Sequence, residues 1–154
     1  MGIHGQDSVC IAKEACAQNL SMIVIQNTRD FEGLQADGIL GMSPTHHDEK
    51  GELLIEELYN QGEIDARIFS MQIGDLNEES VITLGGYDLE RYAKGDFTWH
   101  DLANKNYWTL NMDCVTLGGE ELDIETTDVI VDSGTSFLLM PTRKIDLWSN
   151  PVIS

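Results

Sequence analysis

One segment of this sequence brings an ionisable group to the tip of an apolar strand and surrounds it with small residues. It reads Val129-Ile130-Val131-Asp132-Ser133-Gly134-Thr135-Ser136. The chemistry open to such a group is proton transfer by a carboxyl. Buried acids are rare unless they are paired or functional. Ser133 and Thr135 carry hydroxyls that can hydrogen-bond the carboxylate or nearby backbone. Gly134 lets another chain's backbone approach closely. Taken alone, Asp-Ser-Gly-Thr also spells a strand ending in an Asx-type turn, and four letters cannot carry more than that.

Other reactive residue types are sparse. Cys10 and Cys16 are close enough in sequence for a local disulfide, which implies an oxidising compartment; two free buried thiols are the alternative. Cys114 lies in a strand-like run and reads as a small buried residue. Asn19-Leu20-Ser21 is a glycosylation sequon. His46-His47-Asp48-Glu49 offers metal-ligand types, but adjacent side chains do not converge on one ion without partners, so a solvated loop is expected and no metal site. There is no phosphate-binding loop and no nucleophile elbow.

The elements that must position Asp132 read as short strands with turns between them. Ser21 to Ile25 is a β-branched run, and Gly38-Ile39-Leu40-Gly41 predicts a brief strand bracketed by glycines. Leu54 with Leu58, and Ile55 with Tyr59, fall four apart and predict a helix that Gly62 stops. Strands are expected at Ile68 to Ile73, Ser80 to Leu84 and Asp96 to His100, with a turn at Gly85-Gly86 and a mixed loop from Asp88 to Lys94. Tyr107 to Leu117 alternates, and Gly118-Gly119 predicts a hairpin turn. Val129 to Val131 are contiguous and apolar, so a buried strand is expected from Asp128 into Asp132. Pro141-Thr142 reads as a helix entry. The fold class is mainly β.

Composition narrows the partners. The 154 residues hold 42% hydrophobic and 23% charged residues, the balance of a globular chain. With 27 acidic against 9 basic residues the net charge is −18, which repels phosphate backbones and argues against nucleic acid. No apolar run approaches the ~20 residues of a membrane span.

Wider context changes the reading of Asp132. The Asp132-Ser133-Gly134-Thr135-Ser136 string resembles the second catalytic motif of the pepsin and cathepsin D family. Ala36-Asp37-Gly38-Ile39-Leu40-Gly41-Met42 resembles that family's first-lobe core strand, and Leu84-Gly85-Gly86-Tyr87-Asp88 its Leu-Gly-Gly-x-Asp turn. Tyr107-Trp108-Thr109-Leu110 resembles its Tyr-Trp strand, and Gly2 to Val9 the strand after the active-site flap. All five occur in the family's order and rough spacing.

The resemblance implies a bilobal pepsin-like acid protease fold, with residues 1–88 in the later part of the N-terminal lobe and 89–154 in the earlier part of the C-terminal lobe. It implies an endopeptidase that activates water between two aspartates sharing a proton. Asp132 would be the second-lobe member, and Thr135 would help lock the active-site loops together. Gly134, Ser136 and Tyr107 would line the substrate cleft, a core place for Tyr107 being the alternative. Polypeptide substrates, no cofactor, a monomeric full-length enzyme and a lysosomal, vacuolar or secreted location complete the expectation.

The first-lobe Asp-Thr/Ser-Gly does not occur in these 154 residues, and neither does the flap tyrosine. A fragment of a longer enzyme is expected, inactive by itself and exposing unpaired strand edges. Two other readings stay open. A homodimeric aspartic protease with one Asp per chain needs a flap and a glycine-bracketed strand after Asp132, and neither follows it in these 154 residues. A non-catalytic peptide-binding unit needs neither.

Overall fold

The computed structural model describes residues 2–13, 15–27, 36–45, 51–75 and 77–140. Among them are eight strands, each paired with a single partner, and two short helices. The chain divides into two compact units, Met1–Thr98 and Trp99–Ser154.

The first unit is built on a long hairpin. Strands β1 (Gly2–Ala12) and β2 (Ala15–Ile25) pair antiparallel, and Gly2 to Asp7 pair regularly with Ile25 to Leu20. The ladder then bulges: Ser8 on β1 faces both Gln18 and Asn19 on β2, so that Val9 pairs with Ala17. A second irregularity leaves Ile11 as the extra residue, this time on β1, between the Cys10–Cys16 and Ala12–Ala15 pairs. Asn19 takes the left-handed conformation with φ 59°, which a short polar side chain tolerates better than most. Strict alternation would place Ala17 and Leu20 on opposite faces. The extra residue places both inward, and both are buried.

Helix α1 (Leu54–Asn60) covers that inward face. Leu54 and Leu58, four apart, pack with Ala17 and Leu20 into the core, with Val9, Met42, Ile64 and Leu84 around them. Glu56 and Glu57 stand in its first turn, where the helix dipole favours acids. Gly62 (φ 77°) ends it as the spacing predicts: Gly62 N–H donates to Tyr59 at 3.0 Å and Glu63 N–H to Leu58 at 2.9 Å, a Schellman stop. The bulge leaves the Gln18 backbone outside the ladder, and the Gln61 side chain takes it over. Its Oε1 accepts from Gln18 N–H at 3.1 Å and its Nε2 donates to Gln18 C=O at 3.3 Å.

Strands β3 (Phe69–Gln72) and β4 (Val81–Leu84) pair as expected. The turn after β4 uses Gly85 at φ 84°, where an added Cβ would sit 2.9 Å from the Ile64 side chain. The expected loop from Asp88 instead contains a short helix, α2 (Leu89–Tyr92). The Asp88 carboxylate accepts from Arg91 N–H at 3.0 Å, and that cap starts the turn. Asp96 to His100, expected as a strand, has no ladder. Phe97 instead meets Tyr87 edge-to-face at 4.9 Å. The expected strand at Gly38 to Leu40 also has no partner among the described residues, and Ile39 and Leu40 are exposed.

The second unit holds two small antiparallel pairs. Strand β5 (Thr109–Asn111) pairs with β8 (Asp128–Ile130), and β6 (Val115–Leu117) with β7 (Glu120–Leu122). Gly118 (φ 63°) and Gly119 (φ 90°) form the two-residue turn between β6 and β7 that the sequence predicts. The alternating run from Tyr107 splits at residues 112–114 because its halves pair with different strands, and this leaves Cys114 exposed rather than buried. Strand β8 exists where expected but is exposed throughout, because it pairs on one edge only and no described layer covers either face. The helix expected at Pro141 lies outside the described residues.

Candidate active site

Asp132 follows β8, and the β5–β8 ladder sets its place. Thr109 pairs with Ile130 and Asn111 with Asp128. The same register continues past β8, since Val131 N–H donates to the Trp108 carbonyl at 2.9 Å. One further step leads to Tyr107 on one side and Asp132 on the other. At the opposite end, Met112 N–H closes onto the Thr127 carbonyl at 2.6 Å. The far edge of β5 is also tied down. Ala103 N–H donates to Thr109 C=O at 2.8 Å, and Thr109 itself is buried.

Beyond Val131 the chain turns on the aspartate's own carboxylate. Asp132 Oδ1 accepts from Gly134 N–H at 2.9 Å, and Oδ2 accepts from the Thr135 hydroxyl at 2.5 Å. The Asx-type turn that the four letters spell is formed, and it aims and holds the acid. Both bonds favour the ionised form. The Thr135 hydroxyl first and the Gly134 N–H second hold the carboxyl below the ordinary carboxylate value, against a smaller opposing push from desolvation. The group faces solvent, so its charge is screened on the open side. A Cβ on Gly134 would sit 3.3 Å from Oδ1, closer than side-chain carbons normally come. A hydrogen there keeps the flank of the carboxylate clear.

Among the other expected site residues, Ser133, Gly134, Thr135 and Ser136 are all exposed around Asp132. Tyr107 is 50% exposed, at the neighbouring end of the ladder rather than in a core. Cys10 and Cys16 are joined in a disulfide, S–S 2.04 Å, in the other unit. His46 to Glu49 lie outside the described residues, which contain no group of three or more His, Cys, Asp or Glu able to hold a metal ion. Trp108 also positions the acid. It acts through its carbonyl, which no side chain announces, and only the alternation from Tyr107 to Leu117 marks that a ladder runs there.

The sequence profile described as eukaryotic aspartyl protease matches residues 1–152. The chain belongs to that family. Over 122 residues it is 38% identical to "Probable vacuolar protease A" of Trichophyton verrucosum, covering 75% of this chain and 30% of the relative. It is 37% identical over 115 residues to "Vacuolar protease A" of Arthroderma otae, covering 72% and 29%. "Pepsin II-2/3" of Oryctolagus cuniculus is 29% identical over 148 residues, covering 94% and 38%. The aspartyl protease chain thus spans about a third of the length of the curated relatives it matches. Its mainly β architecture agrees with the pepsin-like fold. No helix among the described residues is long and apolar enough to cross a membrane.

Proposed function

We propose that Asp132 is one of two aspartates that activate water for peptide-bond hydrolysis in an aspartic endopeptidase. The observation that carries this is its carboxylate, held ionised by Thr135 and Gly134 at an open strand end in a chain of the aspartyl protease family. In such a pair the two like charges cannot both ionise cheaply, so one proton is shared and the titration belongs to the pair. The ionised carboxylate takes a proton from the bound water as it attacks the carbonyl carbon, and the protonated one donates to the carbonyl oxygen. Thr135 orients Asp132 by direct donation. Gly134, Ser136 and Tyr107 line the cleft that takes the polypeptide, and Ser133 supports the loop.

Residues 1–88 are assigned to the later part of the N-terminal lobe with the interlobe strands, and 89–154 to the earlier part of the C-terminal lobe. No metal or cofactor takes part. The full-length enzyme is a monomer without affinity for nucleic acid, which the net charge of −18 disfavours. The Cys10–Cys16 disulfide fits a vacuolar, lysosomal or secreted location.

Only one aspartate of the required type occurs in the 154 residues, so this polypeptide alone is expected to be inactive. The test is a chimera in which this chain replaces the matching segment of the Trichophyton verrucosum relative. The chimera should cleave denatured protein in mild acid, and Asp132→Asn should lower kcat by about 100- to 10,000-fold. A folded Asp132→Asn chimera as active as its parent would overturn the assignment. Turnover by the isolated chain would overturn its expected inactivity and favour the homodimeric reading, with one Asp132 from each copy.

A further inference from the structure

The strongest feature outside the site is the bulge of the long hairpin. From its geometry we infer that Asn19 is an acceptor for N-linked oligosaccharide. Asn19-Leu20-Ser21 is the only Asn-x-Ser/Thr sequence in the 154 residues. A sequon within a strand would be a poor site if its asparagine faced the core. Here the bulge decides the direction. With Ala17 and Leu20 both turned inward against α1, Gln18 and Asn19 are the two consecutive residues left facing solvent. A glycan on Asn19 leaves the packing against Leu54 and Leu58 untouched.

The backbone agrees. Asn19 lies outside the ladder at φ 59°, so neither the pairing of Asp7 with Leu20 nor that of Val9 with Ala17 depends on its side chain. The same hairpin carries the Cys10–Cys16 disulfide, the mark of a compartment where both oxidation and sugar transfer occur. In the transfer, the Asn19 amide nitrogen bonds to C1 of a lipid-diphosphate-linked oligosaccharide. The bond from C1 to the diphosphate oxygen breaks, the lipid diphosphate leaves with the electron pair, and the amide gives up one proton. No oxidant or reductant is needed. Ser21 is part-buried with Gly51 against its side chain, so the sequon is read before the hairpin packs, and the bulge then leaves the finished glycan in solvent.

The test is translation of the full chain, behind a cleavable secretory leader, in the presence of microsomes that carry the transferase. The expected result is a single mobility step removed by an amidase specific for N-glycans, with residue 19 recovered as aspartate by mass spectrometry. Asn19→Gly keeps the left-handed backbone and should lose the step. Ser21→Ala should lose it with Asn19 intact, and Ser21→Thr should keep it. An unmodified wild-type chain whose leader has been cleaved overturns the inference, and so does a step that survives in Asn19→Gly. Neither result bears on the catalytic reading of Asp132.

Discussion

The two units solve the same problem differently. In the first, a bulged hairpin and a two-turn helix enclose a small core, and even the backbone groups released by the bulge find a partner in Gln61. In the second, the ladders are formed but the apolar side chains beside them stay in water. Val131 is 58% exposed, and Phe137, Leu138 and Leu139 are each more than 80% exposed. Hydrogen bonds alone set the register around Asp132, whereas packing and hydrogen bonds together set the geometry around Leu58. Stability in this chain should therefore reside in the first unit, and chemistry in the second.

The sharpest way to break that contrast is to empty the core. Leu58 is fully buried, so Leu58→Ala should cost about 2–5 kcal/mol in the unfolding of the first unit, read by urea denaturation. Ile130→Ala, at a residue 53% exposed on β8, should cost less than about 1 kcal/mol on the same measurement. Equal losses would erase the distinction between the units. Next comes the amide clamp. Gln61→Ala removes both bonds to the Gln18 backbone and should cost about 1–3 kcal/mol, with faster amide exchange at Gln18 as the local signature. Gly119→Ala forces a Cβ into the left-handed region at φ 90° and should cost about 1–2 kcal/mol, seen as a lowered Tm of the β6–β7 hairpin.

The smallest effect on stability is the most informative about the site. With its pKa depressed in the folded chain, Asp132 contributes stability at pH above its unfolded value, and that contribution fades as pH falls through the folded value. Thr135→Val removes the larger cause. It should move the Asp132 midpoint upward, toward the ordinary carboxylate range, in a carbon-detected NMR titration. An unmoved midpoint would mean that Thr135 does not set the charge of this carboxylate.

What could be read from residues alone follows the range of the interactions involved. Gly62 ending α1, Gly118-Gly119 turning β6 into β7, and the Asp132 turn all depend on neighbours within a few residues, and all stand where spacing puts them. The α2 turn was hidden because its start depends on one side-chain cap from Asp88 inside an otherwise mixed stretch. The burial expected at Val129 to Val131 and at Cys114 is not found. An apolar run reports what a strand could cover, but covering needs a second layer supplied from elsewhere in space. The role of Gln61 is invisible in the sequence for a related reason. Its role depends on a bulge 43 positions away along the chain, and no local pattern encodes that.

The bulge at Gln18 and Asn19 also bears on how such a hairpin tolerates changes in chain length. Deleting either residue would let Ser8 pair one-to-one with the survivor, and Ala17 and Leu20 would then lie two apart, still on the inward face. Deleting a residue elsewhere in β2, such as Met22, would turn every side chain beyond it to the other face. Length variation in this hairpin should therefore be confined to its bulges. An alignment gap opened at residue 18 or 19 would keep both faces of the hairpin and lose only the Gln61 clamp, whereas one opened three residues later would exchange the faces.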